Sequence, residues 1–214
     1  MKSTEYRSRV DYPEKCQKLW NEIRNAREEG RELIYLDEVN FTKLSLPTRE
    51  WSTKYTNLNV EQEDVYQGYR SVLVSMHETN GIENPKIQDH AINSQDFISY
   101  LKMMRSRHHK KPLALLMDQL TVHKSWAVKP YYDALDIKPI FNVGYSPEFN
   151  AIESVFSKVK RHFKCSRLYD IVNQRGFDFE KTIRHSFWKV TAHNCRACVK
   201  KSERLLEKAL IVNN

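Results

Sequence analysis

With 214 residues, 40% of them apolar and 11% aromatic, the chain has room for one domain with an extension and enough apolar side chains for a true core. No apolar run approaches the roughly 18 residues of a membrane span, and no signal-peptide core follows the first residues, so neither insertion nor secretion is expected. Thirty-five basic against 27 acidic residues give a net charge of +8, which points to a polyanionic partner, nucleic acid first.

The spacing of Leu19, Trp20, Ile23 and Ala26 predicts a helix over 13–29, opened by Pro13 and ended by Gly30. Residues Leu33 to Val39 are nearly continuous in apolar and β-branched types, as a central strand is, and Phe41 to Leu46 reads as a second strand. Residues 47–64 are polar and irregular apart from Trp51 and Tyr55 and read as a long connection. Tyr69 to Met76 is a third strand, with turns at Asn80-Gly81 and Pro85. A helix over 94–105, capped by Asn93 or Ser94, turns Phe97, Ile98, Leu101 and Met104 inward. After the basic loop Arg105 to Lys111 come a strand at Leu113–Met117 and a helix at 125–135 carrying Trp126, Tyr131, Tyr132 and Leu135. A fifth strand at Ile137–Val143, a helix at 147–163 and a final helical pair at 178–198 and 202–212 complete the chain.

Early strands joined without helices predict an antiparallel meander, and the later strand–helix alternation predicts parallel neighbours. The expected fold is therefore α/β: a mixed five-stranded sheet flanked by helices, with helical extensions at both ends. The expected division is 1–29 as an N-terminal helical arm, 30–165 as the sheet domain and 166–214 as a C-terminal helical extension. The four cysteines are too few and too scattered for a disulfide scaffold. Cys195-x-x-Cys198 lacks nearby partners for zinc, and its residues share one apolar helix face with Val199, as buried thiols do.

Three acids stand out. Asp37 ends the apolar run from Leu33, and Asp118 ends Leu113 to Met117. Glu153 opens a helix after the last strand. Each has an ordinary alternative: a strand that simply meets solvent for Asp37, a turn residue for Asp118, and for Glu153 a capping box with Asn150. Topology sets the three together, because sites in parallel α/β sheets form beyond the carboxyl ends of the strands. Three hard oxygen donors without sulfur suit Mg²⁺ or Mn²⁺, and two such ions can clamp an in-line displacement at phosphorus.

The motifs then match a family. Leu36-Asp37-Glu38, Met117-Asp118-Gln119-Leu120-Thr121-Val122-His123-Lys124 and Tyr145-Ser146-Pro147-Glu148-Phe149-Asn150-Ala151-Ile152-Glu153, with 34 residues between Asp118 and Glu153, resemble the catalytic domain of mariner-superfamily DDE transposases. The match runs over roughly residues 30–165. Gln119 stands where the family usually has Asn and Ala151 where it has Pro; neither change removes a metal ligand. The resemblance implies an RNase H-like fold, and metal-dependent DNA cleavage and strand transfer by Asp37, Asp118 and Glu153 with two Mg²⁺ (or Mn²⁺) ions. His123 would contact substrate or brace the site, and Lys124, Lys158, Lys160 and Arg161 would meet DNA phosphates. Only about 30 residues precede the first strand, whereas the family usually carries about 100 residues of helix-turn-helix domains there. DNA is thus the expected partner, with a homodimer or a partner protein supplying sequence specificity and the C-terminal stripe Leu205, Leu206, Ala209, Leu210 either docking it or folding back on the sheet. The expected location is nuclear in a eukaryote and cytoplasmic otherwise. The alternative is a domesticated, non-catalytic subunit used for DNA binding or assembly.

Overall fold

The structure, a computed structural model, describes residues 11–42 and 68–211. The connection at 47–64, with Trp51 and Tyr55, and the far end of the strand expected at 41–46 lie outside them. Helix α1 (Tyr12–Glu28) starts on Pro13, whose missing N–H is harmless in a first turn, and buries Cys16, Leu19, Ile23 and Ala26 along one stripe. It stops at Gly30, where φ is +71° and the following Arg31 N–H returns to the Ala26 carbonyl. Arg31 then fastens the helix end to the sheet, bonding Glu29, Asp136 and the Leu113 carbonyl.

Five strands follow: β1 (Glu32–Thr42), β2 (Tyr69–His77), β3 (Gly81–Gln88), β4 (Leu113–Met117) and β5 (Ile137–Phe141). Their order across the sheet is β3-β2-β1-β4-β5. The β3–β2–β1 half is antiparallel and the β1–β4–β5 half parallel, the mix expected from the connections. Helix α2 (Ser94–Arg107) links the halves, and α3 (Lys129–Ala134) links β4 to β5. A 3₁₀ turn at Pro147–Phe149 leads into α4 (Ala151–Val172), α5 (Phe179–Trp188) and α6 (Ala192–Ile211).

The two-residue period of the strands sorts the core into two layers. On β1, Leu33, Tyr35, Val39 and Phe41 face α1, α4, α5 and α6, while Ile34 and Leu36 face α2 and α3. On β4, Ala114 and Leu116 take the first face, and Leu113, Leu115 and Met117 take the second. Phe41 anchors the helical layer, meeting Phe163 of α4 and Phe187 of α5 edge-on at 5.1 and 6.0 Å.

Several expected elements shift. The segment read as a separate strand from Phe41 continues β1 to Thr42, and the strand that completes the sheet is β3, read from sequence as turns. Pro85 is tolerated there because β3 is an edge strand, and the pairing slips between Leu73 and Ser75. Of the helix expected at 125–135 only Lys129–Ala134 is helical, and Trp126 lies ahead of it, 87% exposed. Helix α4 runs past residue 165, so the expected domain boundary falls inside it. The final helices break near residue 190, where Thr191 and Asn194 bond each other's backbone N–H groups and open α6. Cys195 and Cys198 are buried free thiols beside Val199. Leu206 is in the core with Leu205, Ala209 and Leu210 packed against it, so the C-terminal stripe folds back rather than standing open. Helix α1 shares that core and pairs with α6 through Arg27 and Glu203.

Candidate active site

Strand parity carries Asp37 to the site. It follows Leu33 and Tyr35 on the face under α4, as Asp118 follows Ala114 and Leu116 on the same face of β4. The parallel register pairs Tyr35 with Leu116; two positions further on, Asp37 and Asp118 leave the sheet side by side. Helix α4 crosses that face with its N-terminus over the strand ends, and Glu153 stands in its first turn. The three acids, from three elements, line one cleft of about 440 Å³ together with Gln119, Asn142, Tyr145 and Asn150.

Asp37 is only 5% exposed. Its Oδ1 accepts the Glu38 N–H at 2.7 Å, and its Oδ2 accepts Asn150 Nδ2 at 3.3 Å. Burial, then the charges of Asp118 and Glu153, push its pKa up to about 8. Burial also raises Glu153; Lys160 opposes the rise, Asp118 adds to it, and a hydrogen bond with Asp37 opposes it. Without a counter-ion, the cleft thus disfavours the charged forms of Asp37 and Glu153.

The Asn150–Glu153 spacing does not make a capping box. Asn150 forms no side-chain bond to its own helix. Its amide reaches across to Asp37 and to the Leu36 carbonyl, leaving its Oδ1 buried without a partner among the described residues. The reciprocal box forms instead at Asn93 and Asp96, where α2 starts. Glu153 is therefore left to face the cleft.

Asp118 is half-exposed and held from behind. Its Oδ1 accepts the Leu120 N–H at 3.2 Å and lies 2.9 Å from His123 Nδ1. His123 is 0% exposed and stacks near Phe97, with ring centroids 4.6 Å apart. Of the two roles expected for it, contacting substrate or bracing the site, its burial and its contact with Asp118 support the second. On its far side Nε2 lies 3.8 Å from Glu38 Oε1, and neither atom has another partner among the described residues. Burial raises the Glu38 pKa, with His123 opposing. Glu38 and Asn150 are the contributors that sequence reasoning missed. Both were present in the matched motifs, but only a view of which side chains lie behind the acids gives them work.

Of the expected phosphate contacts, Lys124 is exposed, bonded to Gln119 Oε1 at 2.7 Å and seated over the Phe141 ring. Lys158, Lys160 and Arg161 are exposed on α4, and the charge of Lys160 reaches Glu153. The donor set is all carboxylate, which fits a hard divalent ion in chemistry. Among the described residues no group of three His, Cys, Asp or Glu closes tightly enough to hold an ion as it stands.

Comparison with known proteins adds the context. Residues 32–174, about two thirds of the chain, match the family model described as DDE superfamily endonuclease. No curated protein sequence matches. Among solved structures, the Mos1 transposase paired-end complex with left transposon end aligns with a TM-score of 0.72 at 13% identity, covering 99% of this chain and 62% of that one. The Mos1 strand transfer complex aligns with a TM-score of 0.67 at 14% identity, over 99% and 61%. The catalytic domain of Mos1 mariner transposase aligns with a TM-score of 0.60 at 13% identity, over 94% of this chain and 91% of that one. The chain spans about three fifths of the longer Mos1 chains and nearly all of the catalytic domain. Such identities establish the fold, and it is the RNase H-like fold of that catalytic domain. By its family match, with the fold in agreement, the chain belongs to the DDE superfamily of endonucleases.

Proposed function

We propose that the chain is a transposase catalytic domain that cuts and joins DNA strands, with Asp37, Asp118 and Glu153 holding two Mg²⁺ or Mn²⁺ ions. The observation that carries this reading is the placement of three carboxylates, from β1, the end of β4 and α4, on one cleft, one of them with its pKa raised by burial and then by the other two. Burying an acid beside two more is unfavourable unless something positive is to be held there. Bound ions supply charge neutralisation and Lewis acidity to an in-line displacement at phosphorus.

The protein's own part is positioning. Asp37 is fixed by the Glu38 N–H and the Asn150 amide, and Asp118 by the Leu120 N–H and His123. Glu153 rides on the first turn of α4 with its neighbour Lys160. A water, or a 3′-hydroxyl in strand transfer, attacks phosphorus and loses its proton as the bond to the leaving 3′ oxygen breaks. Lys124, Lys158, Lys160 and Arg161 neutralise phosphates on the approach, a sequence-independent contribution that weakens with salt. The Mos1 structures include a paired-end complex and a strand transfer complex. By analogy, this chain acts as a homodimer or with a partner protein that supplies sequence-specific binding.

Supercoiled DNA is the test substrate. Nicking or strand joining is expected with Mg²⁺ or Mn²⁺ and not with EDTA, and is expected to fall to background in D37A, D118A and E153A. Undiminished activity in all three variants would rule the assignment out. Calorimetry with Mn²⁺ checks it separately: two-site binding to the parent is expected, and no heat even with DNA present points to a non-catalytic subunit.

A further inference from the structure

A second surface lies along the outer side of α4. Its residues His162, Cys165 and Tyr169 recur at helical spacing and lie opposite the stripe Lys181, Arg184, His185 and Trp188 of α5, while Lys158 and Arg161 stand on α4 close enough for their charges to reach His162. His162 to Tyr169 and the α5 stripe line an open groove of about 1040 Å³ that is separate from the acidic cleft. Two features distinguish it. Lys158, Arg161, Lys181, Arg184 and Lys189 have no ion-pair partner among the described residues. Of the acids nearby, Asp178 is occupied in capping α5 and Glu180 in pairing with Arg70, which leaves Asp170 alone against those cations. The positive field is felt within the groove: burial, then Lys189, Arg161, Lys158 and His185, hold the His162 pKa down.

The second feature is aromatic. Trp188 is 77% exposed and Tyr169 54%, both at this groove, and Arg175 lies over the Tyr169 ring while no cation covers Trp188 among the described residues. A large ring left in water among unpaired cations suits bases on its face and phosphates at its edge. We infer that the α4–α5 groove binds a single-stranded stretch of DNA, with a base stacked on Trp188 and phosphates held by Arg184, Lys189 and Lys181. Distance agrees with such a path. From Glu153 to the stretch His162–Tyr169 the helix rises roughly 14–24 Å, at 1.5 Å per residue. A strand leaving the cleft along α4 has that distance to span before it reaches the groove. Only this direction of approach rests on the DNA chemistry proposed for the cleft. The groove's own binding needs no metal.

The experiment is therefore run in EDTA, where the cleft's activity plays no part. Anisotropy of a labelled 20-nucleotide oligo-dT and of a 20-base-pair duplex is titrated at two salt concentrations. The proteins are the parent, W188A, W188F, R184A/K189A, and K18A/K110A, which removes the same charge elsewhere; melting curves confirm folding. W188A should weaken oligo-dT binding about 5- to 100-fold, in line with the loss of one base stack, and W188F should restore most of it. R184A/K189A should flatten the salt dependence by about 1.4 in log–log slope, at about 0.7 per phosphate on a single strand. Oligo-dT should also quench parent fluorescence more than that of W188F, a readout that survives if W188A fails to fold. The inference is overturned if R184A/K189A loses no more affinity than K18A/K110A, or if Trp188 fluorescence ignores the oligonucleotide. It is equally overturned if duplex binds as tightly as oligo-dT, or if poly-glutamate displaces the oligonucleotide as well as unlabelled DNA does.

Discussion

Asp37 carries the sharpest conflict between folding and function. Its carboxyl has an ordinary pKa of 3.8 and is pushed up to about 8 in the fold. A group whose folded pKa is raised favours the native state at low pH, and that advantage disappears as pH climbs through the window from about 4 to about 8. D37N should therefore melt above the parent in EDTA, by about 1–3 kcal/mol at pH 8 and by much less near pH 4. Thermal melts across that range check it, and a variant that is less stable at pH 8 would mean the carboxylate is compensated within the protein. The exchange is sterically mild, since the Asn150 amide need only turn over to offer its unpartnered Oδ1 to the new side chain. His123 makes a different prediction. Residues that orient a metal-binding carboxylate typically change activity by about 10–100-fold when removed. H123A should lose activity on that scale with DNA affinity unchanged, because the ring touches Asp118 and is sealed from solvent. A matching loss of DNA affinity in a binding titration would assign it to the substrate instead.

At the scale of elements, what could be read from sequence depended on burial. Strand β4 and the first half of β1 are apolar on both faces, and their composition alone announces them. Strand β3, Gly81-Ile82-Glu83-Asn84-Pro85-Lys86-Ile87-Gln88, is half-buried and polar, so its letters resemble a loop; only its partner β2 makes it a strand. The opening of α4 misled in the opposite way: Asn150 and Glu153 have the spacing of a cap, and only the tertiary pull of Asp37 shows that the amide serves another element. One contact at the far edge of the sheet was invisible in sequence because it joins three distant segments. His108, at the end of α2, bonds Glu32 of β1 through Nδ1 and Glu83 of β3 through Nε2, both at 2.8 Å. Burial pulls its pKa down, but the two carboxylates outweigh that and raise it. A raised histidine contributes stability that is fully present below its ordinary pKa of 6.5 and is lost as pH rises through the folded value. H108A should cost about 1–3 kcal/mol at pH 6, the range for charge-assisted hydrogen bonds, with the deficit narrowing toward pH 9 in denaturant titrations.

For the whole molecule, the family match and the folding unit are different lengths of chain. The match covers residues 32–174, and those motifs were legible because the acids and the Tyr145–Glu153 segment are local in sequence. The helical layer over the sheet is not local. Helices α1, α5 and α6 lie outside the match, yet they supply Leu19, Ile23, Phe187, Val199 and Leu206 to the core that Tyr35 and Phe41 enter from β1. A fragment cut at 32 and 174 should keep every acid of the cleft and still fail to pack, binding ANS and losing near-UV circular dichroism. Within the intact chain, L206A should cost about 2–5 kcal/mol, as a fully buried leucine does. A loss below about 0.5 kcal/mol, the usual scale for surface changes, would show that α6 is an appendage.

The alternation that sets Asp37 and Asp118 under α4 also fixes how this sequence can vary in length. One residue gained or lost between Tyr35 and Asp37 would turn the carboxylate through the sheet, into the layer of Phe97 and Leu101. Two would keep its face but slide it roughly 6.6 Å along the strand, at 3.3 Å per residue. The loops before and after these strands face no such arithmetic. Length variation among relatives should therefore collect between elements, while the few residues leading into each acid keep an invariant count.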